Sequence, residues 1–184
     1  MKEELRKLAK FPEEIRWLGD PILRAKTKQI TNNEISCGQT TKDIQKLKQT
    51  LNKIRRLGRG VALAAPQIGI SKSLTVVFWE GLYLPFINPV IIKHSKNNNT
   101  FPEGCLSSLP LIAAVIRPAE IEVRYLDENG NHQQKSFDGK LARILQHEID
   151  HLNGVLFIER ADLKTIQFVA DFDEYKNTAE LVDV

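Results

Sequence analysis

The sequence predicts one α+β domain, in which antiparallel β-sheets pack around a central helix carrying a metal-binding His-Glu-x-x-His motif. Three observations predict it. Apolar residues recur at three- and four-residue steps in two stretches, residues 40–57 and 139–152. Around them lie short β-branched and aromatic runs punctuated by Gly, Pro and Asn-Gly. These runs follow one another through turns rather than crossover helices, which favours antiparallel pairing. With 184 residues, 42% hydrophobic and 27% charged, the chain can bury roughly 70% of its unfolded surface and needs no staples to fold. No internal repeat or linker divides it, so residues 1–184 read as a single domain, with an N-terminal extension over 1–14 and a C-terminal tail over 160–184.

Taken in order, residues 1–10 predict a short charged helix stopped near Pro12. Gly19-Asp-Pro-Ile-Leu-Arg24 is turn chemistry that opens the domain proper. From Thr40 to Leu57, the residues Ile44, Leu47, Leu51, Ile54 and Leu57 define an amphipathic helix ended by Gly58 and Gly60. Its Lys and Arg residues read as a solvated face rather than an RNA contact. Leu74–Trp79, Leu84–Ile87 and Val90–Ile92 predict strands, and Asn97–Thr100 a polar loop. Ile121–Leu126 alternates, and Asn129-Gly130 turns it back into Gln134–Phe137 as a hairpin. A second helix is expected from about Gly139 to Leu152, with Asp138 as its cap and Gly154 as its stop. Val155–Ile158 predicts a short buried strand, and the tail from Asp162 a helix.

Composition excludes several function classes. There are 26 Lys plus Arg against 23 Asp plus Glu, a formal charge of +3, too small to indicate DNA or a membrane surface. The two cysteines, Cys37 and Cys105, cannot form a disulfide framework. No signal or transit segment is evident, and no run approaches the roughly 20 apolar residues of a membrane helix. The sequence therefore predicts a cytoplasmic protein in a reducing compartment.

The chemistry concentrates in three segments. His147-Glu148-Ile-Asp-His151 falls inside the second helix, where residues four apart share a face and both imidazoles can reach one ion. Glu148 projects about 100° around the helix from His147, which places a carboxylate beside the ion, as a base for an activated water. With four His in the chain, chance gives this pattern roughly 0.006 times. Glu103-Gly-Cys-Leu-Ser107, flanked by Pro102 and Pro110, sets a thiol in a rigid, partly extended loop. Gly60-Val-Ala-Leu-Ala-Ala-Pro-Gln-Ile-Gly69 offers small residues for close backbone approach and the Gln67 amide. One thiol with two imidazoles suits Zn²⁺ or Fe²⁺ and disfavours Mg²⁺ or Ca²⁺. His94, His132 and Cys37 lie in polar or turn-like surroundings.

Ala64-Ala-Pro-Gln67, Glu103-Gly-Cys-Leu-Ser107 and Gln146-His-Glu-Ile-Asp-His-Leu-Asn-Gly154, in this order and spacing, resemble peptide deformylase, as does the Gly19–Arg24 opening. The resemblance runs from about Ile15 to Glu159. It implies a deformylase-like catalytic domain that hydrolyses the formyl group from N-formylmethionine on nascent peptides, as a monomer with transient ribosome contact. It implies one divalent ion, Fe²⁺ first, with Zn²⁺, Ni²⁺ or Co²⁺ as substitutes. Carried over, Cys105, His147 and His151 would be the metal ligands and Glu148 the proton shuttle. Gln67 and the Leu106 N–H would receive the developing oxyanion. Val61, Ala62 and Gly104 would bind the substrate main chain. Val61, Phe101 and Ile144 would line the methionine pocket. Glu103 and Arg117 would form a supporting pair, and Asp150 would orient a ligand histidine. Arg143 reads as a solvated helix residue.

One departure stands out: the family's Gly-x-Gly-Leu-Ala motif has Ala62 at its second glycine, where a methyl group could crowd the substrate or forbid a positive φ. Two other readings compete. An HExxH metallopeptidase would draw a third ligand from Glu159 or Glu174 and leave Cys105 unexplained. A deformylase-like paralogue would bind formylated or nascent chains with little or no turnover.

Overall fold

The computed structural model describes residues 12–58 and 60–168 and the backbone of 182–183. The helix expected over residues 1–10 lies outside them.

A 3₁₀ turn over Pro21–Arg24 is capped by Asp20, whose carboxylate accepts from the Ile22 N–H. Thr31 and Glu34 then form a reciprocal capping box that starts the short helix α1 (Asn32–Ser36). Gly38, at φ 78°, permits the chain to turn directly into α2 (Gln39–Arg55). The periodicity of α2 is as expected: Ile44, Leu47, Leu51 and Ile54 are buried, and Leu57 lies beyond the helix end, half-buried. Each such aliphatic side chain contributes roughly 1.5–3 kcal/mol on burial. They pack on Leu63, Leu74, Val76 and Ile87 of the first sheet and on Leu106.

That sheet has strand order β1-β2-β3-β6-β7, antiparallel throughout, with β1 (Ala62–Ala64), β2 (Leu74–Trp79), β3 (Leu82–His94), β6 (Glu120–Leu126) and β7 (His132–Asp138). The second sheet runs β8-β5-β4-β9, with β4 (Asn98–Gly104), β5 (Leu111–Pro118), β8 (Gln167–Phe168) and β9 (Val182–Asp183). Here β4–β5 and β5–β8 are antiparallel, while β9 runs parallel to β4, with Glu103 opposite Val182 and Gly104 opposite Asp183.

Several expectations need correction. The two runs about Pro85 and Pro89 are one strand, β3. Its ladder to β6 shifts between Ile87 and Val90, and Asn88 takes φ 51° there. The Asn88 side chain closes that irregularity by accepting from the Ile30 N–H and donating to the Ile30 carbonyl, both at 2.8 Å. The polar segment read as a loop over 97–100 is largely the start of β4, held by its β5 partners. Val155–Ile158 is no strand: a 3₁₀ turn over Phe157–Glu159 brings Phe157 against His147, ring centroids 6.2 Å apart. The tail opens with a 3₁₀ turn over Leu163–Thr165 and then joins the sheet as β8, so no α-helix starts at Asp162. The Asn129-Gly130 hairpin forms as expected, with Asp127 accepting from the N–H groups of Asn129 and Asn131.

Helix α3 (Gly139–Leu152) follows Asp138 as expected, although the Asp138 side chain makes no capping hydrogen bond. Every residue from Ala142 to Leu152 is buried. The helix packs against β1, β2 and β7 of one sheet and β5 and β9 of the other, which is why its polar residues find partners only within the protein. It stops where Gly154 takes φ 75°. A methyl group at that position would run into the Arg24 carbonyl as well as being strained. Gly154→Ala is therefore expected to cost about 2–4 kcal/mol, and to lower Tm by roughly 4–16 °C in calorimetry. Among the described residues no helix is long and apolar enough to cross a membrane.

Candidate metal centre

The site is assembled from three segments that the two sheets bring together. Strand β4 ends at Gly104 and delivers Cys105; α3 delivers His147, Glu148 and His151; the 3₁₀ turn Ala65–Ile68 after β1 delivers Gln67. All five side chains are buried. One ligating atom each from Cys105, His147 and His151 lie within 4.8 Å of one another, and Cys105 Sγ is 3.2 Å from His151 Nε2.

The orientation of His147 is set by Glu103. His147 Nδ1 lies 3.1 Å from Glu103 Oε2, so Nδ1 carries the proton and Nε2 is left as the lone-pair atom. His147 Nε2 has no partner among the described residues. A buried nitrogen left so costs about 1–3 kcal/mol, which a cation at the common focus would recover. A thiol and two imidazoles in tetrahedral-type proximity, with one imidazole pre-oriented by a carboxylate, fit a divalent transition metal.

Burial pushes the Cys105 thiol up to about 12 and the Glu148 carboxyl up to about 8, the latter against a partly opposing hydrogen bond from Thr75. Burial, with His147 and Arg117 nearby, holds His151 well below the ordinary histidine range, in the neutral form that ligates. Glu103 goes the other way. Burial would raise it, but hydrogen bonds from His147 and Arg117 outweigh burial and hold its carboxyl well below the usual carboxylate range.

Glu148 Oε2 lies 3.2 Å from Thr75 Oγ1 on β2, while Oε1 has no partner among the described residues. The Gln67 side chain is fixed at both ends: Oε1 accepts from the Ala64 N–H at 2.8 Å, and Nε2 donates to Ser107 Oγ at 3.3 Å and toward Cys105 Sγ at 3.6 Å. Leu106, next to Cys105, packs its side chain into the core beside α2.

Of the main-chain candidates, Val61 is committed, because its carbonyl accepts from the Phe78 N–H at 2.6 Å. Backbone groups alternate sides along a strand, so those of Ala62 point to the free edge of β1. The Ala62 methyl group is buried in the core with Val77, Phe86 and Leu145, and the residue is in extended β conformation. Ala62 does not take a positive φ. Gly104 lies opposite Asp183 of β9. Val61 and Ile144 join one apolar cluster, whereas Phe101 is 39% exposed on β4 and faces Arg143.

Two expectations about supporting residues fail. Asp150 does not orient a histidine: it accepts from Arg117 at 2.8 Å and from both Arg160 nitrogens at 2.5 and 2.6 Å. Arg143 is not solvated: it is buried and donates to Glu103, Asn99 and Val115. The Glu103–Arg117 pair is present and bidentate, at 2.7 and 2.9 Å. Thr75 and Ser107 carry no signal that sequence reading could use, since each is a small hydroxyl within an apolar or turn-like run. Among the described residues the peptidase alternative finds no third ligand. Glu159 is tied to Arg24 and to the Leu156 N–H, and Glu174 lies outside the described residues.

Residues 12–167 match the family model described as polypeptide deformylase. A peptide deformylase of Synechocystis is 40% identical over 164 residues, covering 86% of this chain and 84% of the relative. A Synechococcus elongatus peptide deformylase, solved in complex with actinonin, superposes with a TM-score of 0.72 at 41% identity, covering 80% of this chain and 78% of that one. A class I type b peptide deformylase from Acinetobacter baumannii, solved with Met-Ala-Ser bound, gives 0.73 at 31% identity over 82% and 97% of the two chains. A match spanning both the β1 turn and α3 covers the Cys-His-His cluster, the carboxyl beside it and the amide facing it, so the chain belongs to the peptide deformylase family.

Proposed function

We propose that this protein hydrolyses the formyl group from N-formylmethionine at the start of newly made polypeptides and releases formate. The observation that carries the reading is the buried Glu148 carboxyl set one residue from His147 in a Cys-His-His cluster, with the Gln67 amide aimed at the same point.

Cys105, His147 and His151 would hold one divalent ion, Fe²⁺ by the family resemblance and Zn²⁺, Ni²⁺ or Co²⁺ as substitutes. Bound there, it would supply Lewis acidity toward the formyl oxygen and toward water. Glu148 takes the proton of the attacking water as oxygen bonds to the formyl carbon. The same carboxyl then protonates the amine nitrogen as the carbon–nitrogen bond breaks, so formate and a free N-terminus leave. Raised by burial, Glu148 is suited to both halves of this transfer near neutral pH. The Gln67 Nε2–H and the Leu106 N–H receive the charge that builds on the formyl oxygen. Each such donor lowers a barrier by about 3 kcal/mol. The free edge of β1 at Ala62 pairs with the peptide main chain, which fits strand addition, and at Gly104 the peptide pairs in place of β9. Val61 and Ile144 contribute apolar surface to the methionine pocket, with Phe101 at its margin.

Residues 1–184 act as one catalytic domain, monomeric and cytoplasmic, and meet their substrate in transient contact with the ribosome. The Acinetobacter relative's bound Met-Ala-Ser supports formyl-Met-Ala-Ser as the assay peptide. Protein purified without oxygen is expected to release formate from it and to leave acetyl-Met-Ala-Ser intact. Metal-loaded protein that binds the formyl peptide without releasing formate would overturn this reading in favour of a binding paralogue.

A further inference from the structure

Arg143 lies one helical turn before His147, and nothing in the proposed chemistry uses it. It is 2% exposed. Its Nη1 donates to Glu103 Oε1 at 2.5 Å and to the Val115 carbonyl at 3.1 Å; its Nη2 donates to the Asn99 carbonyl at 2.9 Å and to Asn99 Oδ1 at 2.5 Å. The guanidinium carbon also sits 5.2 Å from the Phe101 ring centre. One side chain of α3 thus fastens both strands of the hairpin, β4 and β5, whose end presents Cys105.

Glu103 does not require Arg143 for charge balance. Arg117 already meets it with a bidentate fork. Arg117, however, is shared, because its Nη1 reaches Asp150, which also takes the fork of the half-exposed Arg160. Three cations and two carboxylates therefore alternate along this network, and Arg143 is the surplus cation. Among the described residues its only carboxylate partner is Glu103, and its remaining bonds end on β4 and β5.

We infer that Arg143 is a positioning residue for the metal centre: it fixes the Glu103 carboxylate, and through it the His147 ring, while holding the Cys105 strand at its working distance from α3. The inference rests on the deformylase reading for its metal and deepens it. Lysine cannot reproduce the role, since one ammonium cannot span Glu103, Val115 and Asn99 with a planar fork.

The test uses full-length protein loaded with Co²⁺, whose ligand-field and thiolate charge-transfer bands report the ligand geometry. Arg143→Lys is expected to shift those bands, speed Co²⁺ release to a chelator 10- to 100-fold, and lower kcat comparably, with KM for formyl-Met-Ala-Ser changed less than threefold. In an E103Q background, R143K is expected to speed release less than it does alone, because the link to His147 is already cut and only the hold on β4 and β5 remains. Unchanged bands and release with only a lower Tm would make Arg143 a structural brace and overturn the inference. So would effects of R143K and E103Q that simply multiply. Arg143→Met serves as a second variant, with R143K decisive if Met does not fold. Release and spectra need no substrate, so wild type that holds Co²⁺ but frees no formate would sink the deformylase reading alone.

Discussion

Glu148→Ala is expected to lower formate release by about 10³-fold while the metal stays bound. Proton transfer by a positioned carboxyl contributes roughly 10²–10⁴-fold, and among the described residues Glu148 is the carboxyl beside the cluster that is not already engaged by arginine or histidine. The ligating atoms come from other residues, and Glu148 contacts the rest of the protein only through Thr75 among the hydrogen bonds described. The fold and the Cys-His-His set should therefore survive. Glu148→Gln keeps the shape and the Thr75 contact yet cannot accept a proton, so it should be as inactive as alanine. Formate release and metal content measured on the same samples check this. Loss of metal in parallel with activity would mean that Glu148 holds the site together rather than shuttling protons.

Cys105→Ala is expected to empty the site after dialysis and to abolish turnover, whereas Cys37→Ala changes neither, since Cys37 is exposed at the C-cap of α1 and outside the ligand cluster. Chelating wild type should have a matching effect on stability. An ion present at a thousand times its Kd stabilises by about 4 kcal/mol. For a chain this long each kcal/mol moves Tm by roughly 2–4 °C, so stripping should lower Tm by about 8–16 °C, and C105A should show no further drop on chelation. Elemental analysis with calorimetry on both proteins checks this. Metal retained at full occupancy in C105A would remove the thiol from the ligand set and reopen the choice of third ligand.

The residues legible in advance were those whose partners lie within one helical turn or one tight turn. His147 and His151 declare a shared face by their spacing, α2 by its apolar period, and the β6–β7 hairpin by Asn129-Gly130. The misread features depend on contacts distant in sequence. Arg143 looks like any solvated helix cation until β4 and β5 bring Glu103, Asn99 and Val115 to it. Asp150 lies in the right motif, but two arginines distant in sequence or beyond the helix claim it. Polar Asn98–Thr100 has no strand signal of its own and is extended only because Ile116–Pro118 pairs with it. Pro85 and Pro89 suggested breaks, but Pro85 pairs in register with Val76 and Pro89 falls within the ladder shift between Ile87 and Val90. Ala62 raised a doubt about positive φ that its extended conformation answers.

The parallel pairing of β9 with Glu103 and Gly104 changes what arrival of a peptide entails. If the peptide main chain pairs at Gly104, entry is an exchange of one strand for another, in which bonds to Asp183 are traded for bonds to substrate. The net gain from that edge is then small, and recognition falls to the formyl group and the first side chain. The intrinsic affinity would be multiplied by the fraction of molecules in which the edge stands open. A tethered competitor of this kind multiplies the apparent KM by a constant factor that no improvement of the methionine pocket alone can remove. It also favours short, loosely held products leaving as the chain's own strand returns.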